Sequence, residues 1–319
     1  MKSLYIIGNG FDVAHGLRTE YWKFREYLES TQPHFLNGFE TLYDIQPLDD
    51  TEPWYTKKAQ ERWDKSVDNA LWSRFEEKMG CPNTTEMLNV SSCVLDDLSL
   101  DGGNIGIRDT MDVYWQEQFG FINNMQDYVK EWIEQIDTSK IKCQRKALIG
   151  CKDYFLNFNY TDTLERIYHI ENVLHIHGGI DSVSDVPPIM GHCNIDEIRK
   201  HYQWKKEADE EYEEGEASIQ EAIAKYLKAI YKDTDYIISL HSSFFEKLQD
   251  VNKVIIIGWS AGDVDMPYLR KIKESVNENT KWTAYWYDDG AYNSLVTAFN
   301  AVGVKDSDVK YEQSNKFWD

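Results

Sequence analysis

Two short, fully apolar runs in this sequence each end in a glycine turn. Residues 4–7 lead into residues 8–10 (Gly-Asn-Gly), and residues 254–257 lead into Gly258. A run that is apolar at every position is typical of a strand buried on both faces, as in a parallel sheet covered by helices. Helical patterns between such strands indicate an α/β fold wound on both faces of the sheet.

Other segments extend this pattern along the chain. The predicted strands cover residues 4–7, 153–158, 173–176, 188–190, 254–257 and 281–287. The predicted helices cover residues 22–28, 110–136, 219–231 and 235–248, another helical region covers residues 54–79, and one helix begins near Asp265. We therefore expect a Rossmann-like parallel-sheet core at residues 1–39 and 150–319, with a mostly helical insertion at residues 40–149.

The charge and cysteine content narrow the classes of partner and compartment. The chain has 34 Lys+Arg against 55 Asp+Glu, a formal net charge of -21, which disfavours nonspecific binding to nucleic acid and to anionic membranes. Its five cysteines show no CxxC spacing, which fits a reducing compartment. The N-terminal apolar run is too short for a signal peptide, and no segment is long enough to span a bilayer. These observations predict a cytoplasmic protein.

The turn at residues 8–10 is typical of a nucleotide site, because glycine lets a phosphate or a ribose approach the backbone closely. The third glycine of the dinucleotide fingerprint GxGxxG would fall at Val13, so a plain tight turn explains the two glycines about equally well. Asp12 could cap the turn that follows, or its carboxylate could hold a ribose hydroxyl.

Residues 157–162 (Asn-Phe-Asn-Tyr-Thr-Asp) lie at the end of a predicted strand, where sites in open α/β sheets collect. Thr161 or Asp162 could cap a helix that begins near residue 163. The side-chain amide of Asn159 is less easily explained by local structure, and it could fix a hydroxyl or a water molecule.

His175 and His177 are two residues apart at another predicted strand, so their side chains are expected on the same face. They could bind a metal ion, with His192 or Cys193 as a further ligand. Alternatively, one is a catalytic base and the other is structural, since imidazole suits general-base catalysis near neutral pH.

Residues 258–262 (Gly-Trp-Ser-Ala-Gly) match the GxSxG nucleophile elbow of α/β-hydrolases. That fold places an acid and then a histidine after the serine, but the last histidine of this chain, His241, precedes Ser260. We therefore expect a glycine–serine loop that faces a ligand rather than a hydrolase triad.

Taken together, the motifs resemble the AbiH family of bacterial abortive-infection (anti-phage) proteins. The matching segments are LYIIGNGFDVAHGL at residues 4–17, WSRFEEKMG at 72–80, FNYTDTLE at 158–165, HIHG at 175–178 and IIIGWSAGDVDMPYL at 255–269. The chain is also distantly similar to sirtuin-like NAD-consuming domains, which carry a glycine-rich first loop, an asparagine segment, an HG histidine and a late glycine–serine loop. Thr161 stands where their asparagine segment has an aspartate.

This resemblance implies a phage-defence protein that binds NAD or a related nucleotide and hydrolyses the nicotinamide–ribose bond without a metal. It implies His177 as general base, Asn159 as the residue that positions water, and Asp12 as a further catalytic residue. The implied nucleotide-binding residues are Gly8, Asn9, Gly10, Phe11, Tyr160, Gly258, Ser260, Asp263 and Asp265.

The expected partners are a small-molecule nucleotide, a second copy of the chain and a phage-derived trigger. Two alternatives stay open. Thr161 favours a nucleotide-sensing module without catalysis, and the pair His175 and His177 would suit a metal-dependent hydrolase or nuclease.

Overall fold

The computed structural model describes residues 2–49, 51–52, 55–85, 87–88 and 107–319. Two compact units divide the chain. The first comprises Met1–Lys23, Val129–Ile189 and Asp233–Asp319, and the second comprises Phe24–Tyr128 and Met190–Lys232. The second unit thus includes a late segment that the sequence did not set apart. The boundaries predicted for the helical insertion, residues 40–149, stay a prediction, and its residues 89–106 lie outside the described residues.

A single sheet organises the first unit. The strands that form it within the described residues are β1 (Lys2–Ile7), β2 (Tyr154–Asn157), β3 (Val173–His175), β4 (Val251–Ile257), β5 (Lys281–Trp286) and β6 (Val309–Gln313). They lie in the order β3-β2-β1-β4-β5-β6, and all neighbouring pairs are parallel. The predicted Rossmann-like α/β fold is therefore confirmed. The strand order reverses between β1 and β4, the position at which open sheets of this kind bind ligands.

The helices are distributed over both units. In chain order through the described residues they are α1 (Asn9–Ala14), α2 (Tyr21–Thr31), α3 (Pro33–Thr41), α4 (Lys57–Ala70), α5 (Phe75–Met79), α6 (Ile107–Phe119), α7 (Met125–Glu134), α8 (Thr163–Tyr168), α9 (Ile195–Glu210), α10 (Glu214–Ala229), α11 (Thr234–Leu240), α12 (Ser242–Glu246), α13 (Met266–Ser275), α14 (Asp289–Ala301) and α15 (Asn315–Trp318). Within the described ranges, none of the helices is long and apolar enough to cross a membrane.

The two apolar runs pair at the centre of the sheet, with Ile6 opposite Ile256 and Ile7 opposite Ile257. Ile6 and Ile256 belong to one hydrophobic core, and Ile7 and Ile257 belong to another. Helices α11–α14 contribute to the first core, and α1, α8 and α15 contribute to the second. Each fully buried isoleucine side chain stabilises the fold by about 1.5–3 kcal/mol, so burial on both faces explains why these runs lack polar positions.

Some predicted elements were wrong. Residues 188–190 do not form a strand, because Pro187 and Pro188 lack the amide hydrogens that a ladder requires. The helix predicted at residues 110–136 is two helices, α6 and α7, with a 3-10 turn at Gly120–Asn124 between them. Glycine and asparagine are poor helix formers, which accounts for this break.

Candidate functional site

The turns that follow β1 and β4 cross each other at the point where the strand order reverses. The amide of Gly8 donates to the carbonyl of Ile257 at 3.0 Å, and the amide of Gly10 donates to the carbonyl of Gly258 at 2.8 Å. A Cβ atom on Gly8 would lie 2.4 Å from the Cα of Trp259. Gly258 has φ +67°, and a Cβ there would lie 2.3 Å from the amide nitrogen of Phe11. Only glycine fits this crossing.

The crossing also limits what the first turn can offer a ligand. The amides of Gly8 and Gly10 already donate to backbone carbonyls of the β4 turn, and the amide of Phe11 donates to the carbonyl of Gly8 at 2.9 Å. These three amides are therefore already used within the protein, and the space beside Gly8, Gly10 and Gly258 is filled by backbone of the opposite turn. The phenyl ring of Phe11 is fully buried in the second core, so any ligand contact would involve its backbone.

Asn159 joins the ends of three neighbouring strands. Its side-chain amide donates to the carbonyl of Gly8 at 3.1 Å, its backbone amide donates to Oδ1 of Asn157 at 3.1 Å, and its carbonyl lies 2.9 Å from Nδ1 of His175. The neighbouring Tyr160 donates its hydroxyl to the carbonyl of Ile189 at 2.9 Å. Asn159 is thus held rigidly beside the first glycine turn, which suits a residue that orients a ligand or a water.

Asp12 is completely buried at the first turn of the chain. The hydroxyl of Thr161 donates to its Oδ2 atom at 2.6 Å, and Thr161 in turn lies 3.0 Å from the hydroxyl of Thr163. Burial raises the pKa of the Asp12 carboxyl to about 6, although these two hydroxyls lower it. Within the described part of the chain, the buried Oδ1 atom receives no hydrogen bond. Asp12 is therefore a carboxyl that can change its protonation state near neutral pH.

Neither Asp162 nor Thr161 caps α8 with its side chain. Asp162 occupies the N-cap position of α8, but its side chain makes no capping hydrogen bond. Thr161 directs its hydroxyl to Asp12 rather than to the helix. The capping roles considered for these residues are therefore wrong, and the pairing of Thr161 with Asp12 joins positions that are 149 residues apart in the chain.

His175 and His177 have different surroundings. Nδ1 of His175 faces the carbonyl of Asn159, and its Nε2 lies 2.9 Å from a carboxylate oxygen of Glu165. Both partners accept hydrogen bonds, so the ring links β3 to the neighbouring loop and to α8. His177 instead lies between the rings of Phe158 and Tyr268, with both centroid separations at 5.2 Å. The geometry fits one structural histidine, His175, and one reactive candidate, His177.

The loop after β4 faces His177 with a carboxylate. Nε1 of Trp259 donates to Oδ2 of Asp265 at 2.9 Å, and Oδ1 of Asp265 lies 3.8 Å from Nε2 of His177. Asp265 ends a short 3-10 turn that begins at Asp263. Ser260 and Asp263 are exposed on the same loop. Asp265 was predicted from sequence as a nucleotide contact. The hydrogen bond from Trp259 to Asp265 and the contact between Glu165 and His175 were not predicted.

His192, considered above as a further metal ligand, has both ring nitrogens occupied. Nε2 of His192 lies 2.9 Å from the carbonyl of Leu227, its Nδ1 accepts from the amide of Asn194 at 3.0 Å, and burial lowers its pKa to about 4. Both ring nitrogens of His192 therefore serve the backbone. Among the described residues there is no group of three or more His, Cys, Asp and Glu side chains that could hold a metal ion.

Comparison with known proteins places the chain in a family. The family model "Bacteriophage abortive infection AbiH" matches residues 4–286, a range that includes all the strand-end residues described above. The chain therefore belongs to the AbiH family. Neither the curated proteins nor the solved structures contain a significant match. The similarity to sirtuin-like domains rests on the sequence motifs alone.

Proposed function

We propose that this AbiH-family protein acts in phage defence by binding NAD or a related nucleotide and hydrolysing its nicotinamide–ribose bond. The strand order carries this proposal. The order β3-β2-β1-β4-β5-β6 is that of dinucleotide-binding sheets, which bind their ligand where the order reverses. At this position the chain has two interlocked glycine turns, with Asn159 bonded to the first of them.

The reaction would convert NAD and water into nicotinamide, ADP-ribose and a proton. Breaking the nicotinamide–ribose bond leaves positive charge on the sugar, so carboxylates near the ribose stabilise the transition state. His177 would take a proton from a ribose hydroxyl or from the attacking water, and Asn159 would position that water. Asp12 would orient the ribose or the nicotinamide side of the ligand, acting through its hydrogen-bonded neighbours because its own side chain is buried.

The remaining residues would form the nucleotide pocket. Gly8, Asn9 and Gly10 would face the phosphates, with the backbone of Phe11 next to them. The other side of the pocket would be formed by Tyr160 and by residues of the loop after β4, namely Gly258, Ser260, Asp263 and Asp265. A cytoplasmic location, self-association and a phage-derived trigger complete the proposal.

The test is incubation of the purified protein with NAD, followed by chromatography of the products and by a separate NAD-binding measurement. We expect nicotinamide and ADP-ribose from the wild type, and a turnover at least about 100-fold lower in His177→Ala, because a lost general base costs about 10²–10⁴-fold. Asn159→Ala should also lose turnover. His34→Ala is the matched control, because His34 is exposed on α3 in the other unit. Folded protein that neither binds nor consumes NAD, with or without extract of phage-infected cells, would contradict the proposal.

The second candidate is a nucleotide-sensing module without catalysis. The observation in its favour is that Asp12 is fully buried and already bonded to Thr161, so its carboxylate is not exposed to a ligand. Such a module would bind NAD equally well in the wild type and in His177→Ala, and neither protein would release nicotinamide.

A further inference from the structure

His177 is accompanied by a carboxylate that is itself fixed in place. We infer that Asp265 is a positioning residue for His177, that it stabilises the protonated imidazole, and that Trp259 holds Asp265 in this orientation. The inference rests on the proposed function to the extent that His177 is the group that accepts a proton. The pairing of the three side chains is a property of the folded protein and can be tested without a substrate.

The position of Asp265 follows from the local structure of the late loop. Trp259 comes directly after Gly258 and is 4% exposed, with its ring centroid 5.6 Å from that of Phe158. The hydrogen bond from Nε1 of Trp259 occupies Oδ2 of Asp265. Because Oδ2 is occupied, Oδ1 is the oxygen directed at His177. Helix α13 begins at the next residue, Met266, with a proline in its first turn, so the backbone at Asp265 is also restrained.

The surroundings of His177 explain why it needs such a partner. Its side chain is 4% exposed and has aromatic rings, Phe158 and Tyr268, on two sides. A buried imidazolium without a nearby negative charge is strongly disfavoured. A carboxylate at 3.8 Å favours the charged ring, and this distance is longer than a hydrogen bond, so the contact is electrostatic. Titratable groups in contact with the ring include Asp265 and the phenol of Tyr268.

The contrast with His175 supports a functional purpose for this arrangement. Nε2 of His175 lies 2.9 Å from Oε1 of Glu165, and its Nδ1 lies 2.9 Å from the carbonyl oxygen of Asn159. Both ring nitrogens of His175 therefore have a partner. The ring of His177 and the carboxylate of Asp265 are close but not joined by a hydrogen bond. A movement of about 1 Å would bring them to hydrogen-bond distance. This is the geometry expected of a base whose partner contacts it more strongly once the proton has arrived.

The experiment is an NMR titration of the His177 ring in the ligand-free protein, with the signal assigned by its loss in His177→Gln. We expect the titration midpoint to fall by about 1 pH unit in Asp265→Asn, because an opposite charge at this distance favours the protonated ring. Asp263→Asn removes the same charge from the same loop, but Asp263 is exposed, so solvent screens it and the midpoint should move much less.

Trp259→Phe provides a second route to the same test. It keeps an aromatic ring against Phe158 but removes the indole donor to Asp265, so the midpoint should fall in the same direction by a smaller amount. This variant decides the question if Asp265→Asn fails to fold, as judged by its urea unfolding transition. If the midpoint is unchanged or raised in the folded variants, Asp265 does not act on His177 and the inference is wrong.

Turnover measurements separate this inference from the proposed function. If NAD is consumed, Asp265→Asn should lower kcat, and the acidic limb of the pH profile of kcat should move to lower pH. If NAD is consumed but the midpoint does not move, the pairing fails and the proposed function stands. If the midpoint moves as expected but no nucleotide is consumed, the pairing stands and the proposed function fails.

Discussion

Replacing Asp12 by asparagine would measure the free energy that the fold loses by burying this carboxyl. Burial raises its pKa to about 6 from an ordinary value of 3.8. Between these two values the folded protein binds more protons at Asp12 than the unfolded chain does. The free energy of unfolding therefore has its full Asp12 contribution below about pH 4, where the carboxyl is protonated in both states. This contribution is lost as the pH rises through about 6. Asparagine has no charge and carries no such pH-dependent loss.

The size of the effect follows from the displaced pKa. A pKa raised by about 2 makes ionised Asp12 cost about 3 kcal/mol at pH values above 7, since each unit corresponds to about 1.4 kcal/mol. At pH 5 the same loss is about half as large. The carbonyl of asparagine can still accept the hydrogen bond from Thr161. We therefore expect the stability of Asp12→Asn, relative to the wild type, to increase by about 1.5 kcal/mol from pH 5 to pH 8.

The assay is equilibrium urea unfolding of both proteins at pH 5, 6, 7 and 8. The new amide group can add a constant offset through its own packing, so the change of the difference with pH is the measured quantity. Asp185→Asn removes a charge from an exposed position of the same unit and should give a curve parallel to that of the wild type. Parallel curves for Asp12→Asn and the wild type, or a wild type that becomes more stable relative to the variant as the pH rises, would show that burial does not raise the pKa of Asp12.

Three further outcomes are expected. Gly258→Ala should lower the melting temperature and reduce the free energy of unfolding by at least about 1–2 kcal/mol, because the backbone at Gly258 is left-handed and a Cβ atom has no room there. Gly262→Ala should melt like the wild type, because a Cβ atom at Gly262 would have no other atom within 4 Å. Lys232→Ala should lower the free energy of unfolding in urea by about 3–5 kcal/mol, because Glu76 loses the buried ammonium whose Nζ lies 2.7 Å from its Oε1 atom. The double variant Glu76→Gln/Lys232→Met should lose less stability than Lys232→Ala, and an equal or larger loss would contradict this expectation. His192 should titrate by NMR near pH 4, so its contribution to stability is lost as the pH falls from about 6.5 to about 4, and a midpoint at pH 6 or above would contradict its burial.

The central strands could be predicted from sequence because burial on both faces removes every polar position. The runs at residues 4–7 and 254–257 fall within β1 and β4. The edge strand β6 was not predicted, since it includes Lys310 and Glu312 and none of its residues is fully buried. A strand that is partly solvated carries little hydrophobic signal, so its pairing with β5 becomes visible only in the folded sheet.

The candidate site was predictable as a set of residue types but not as a set of contacts. Glycines, an asparagine and a histidine at the ends of predicted strands indicated a ligand site at the carboxyl edge of the sheet. The pairing of Asp12 with Thr161 could not be read in this way, because threonine beside a helix start is commonly a cap. The partner of each side chain depends on which strands are neighbours, and sequence periodicity does not contain that information.

Buried parallel strands, two of them ending in glycine turns, could be predicted from the amino-acid sequence alone. Local chemistry is sufficient for that conclusion, because apolar burial and glycine backbone freedom are properties of single segments. The folded structure was needed to show that the two turns pack directly against each other, that Asp12 is buried, and that Asp265 faces His177. These contacts join residues from separate loops, and the order of strands in the sheet brings those loops together.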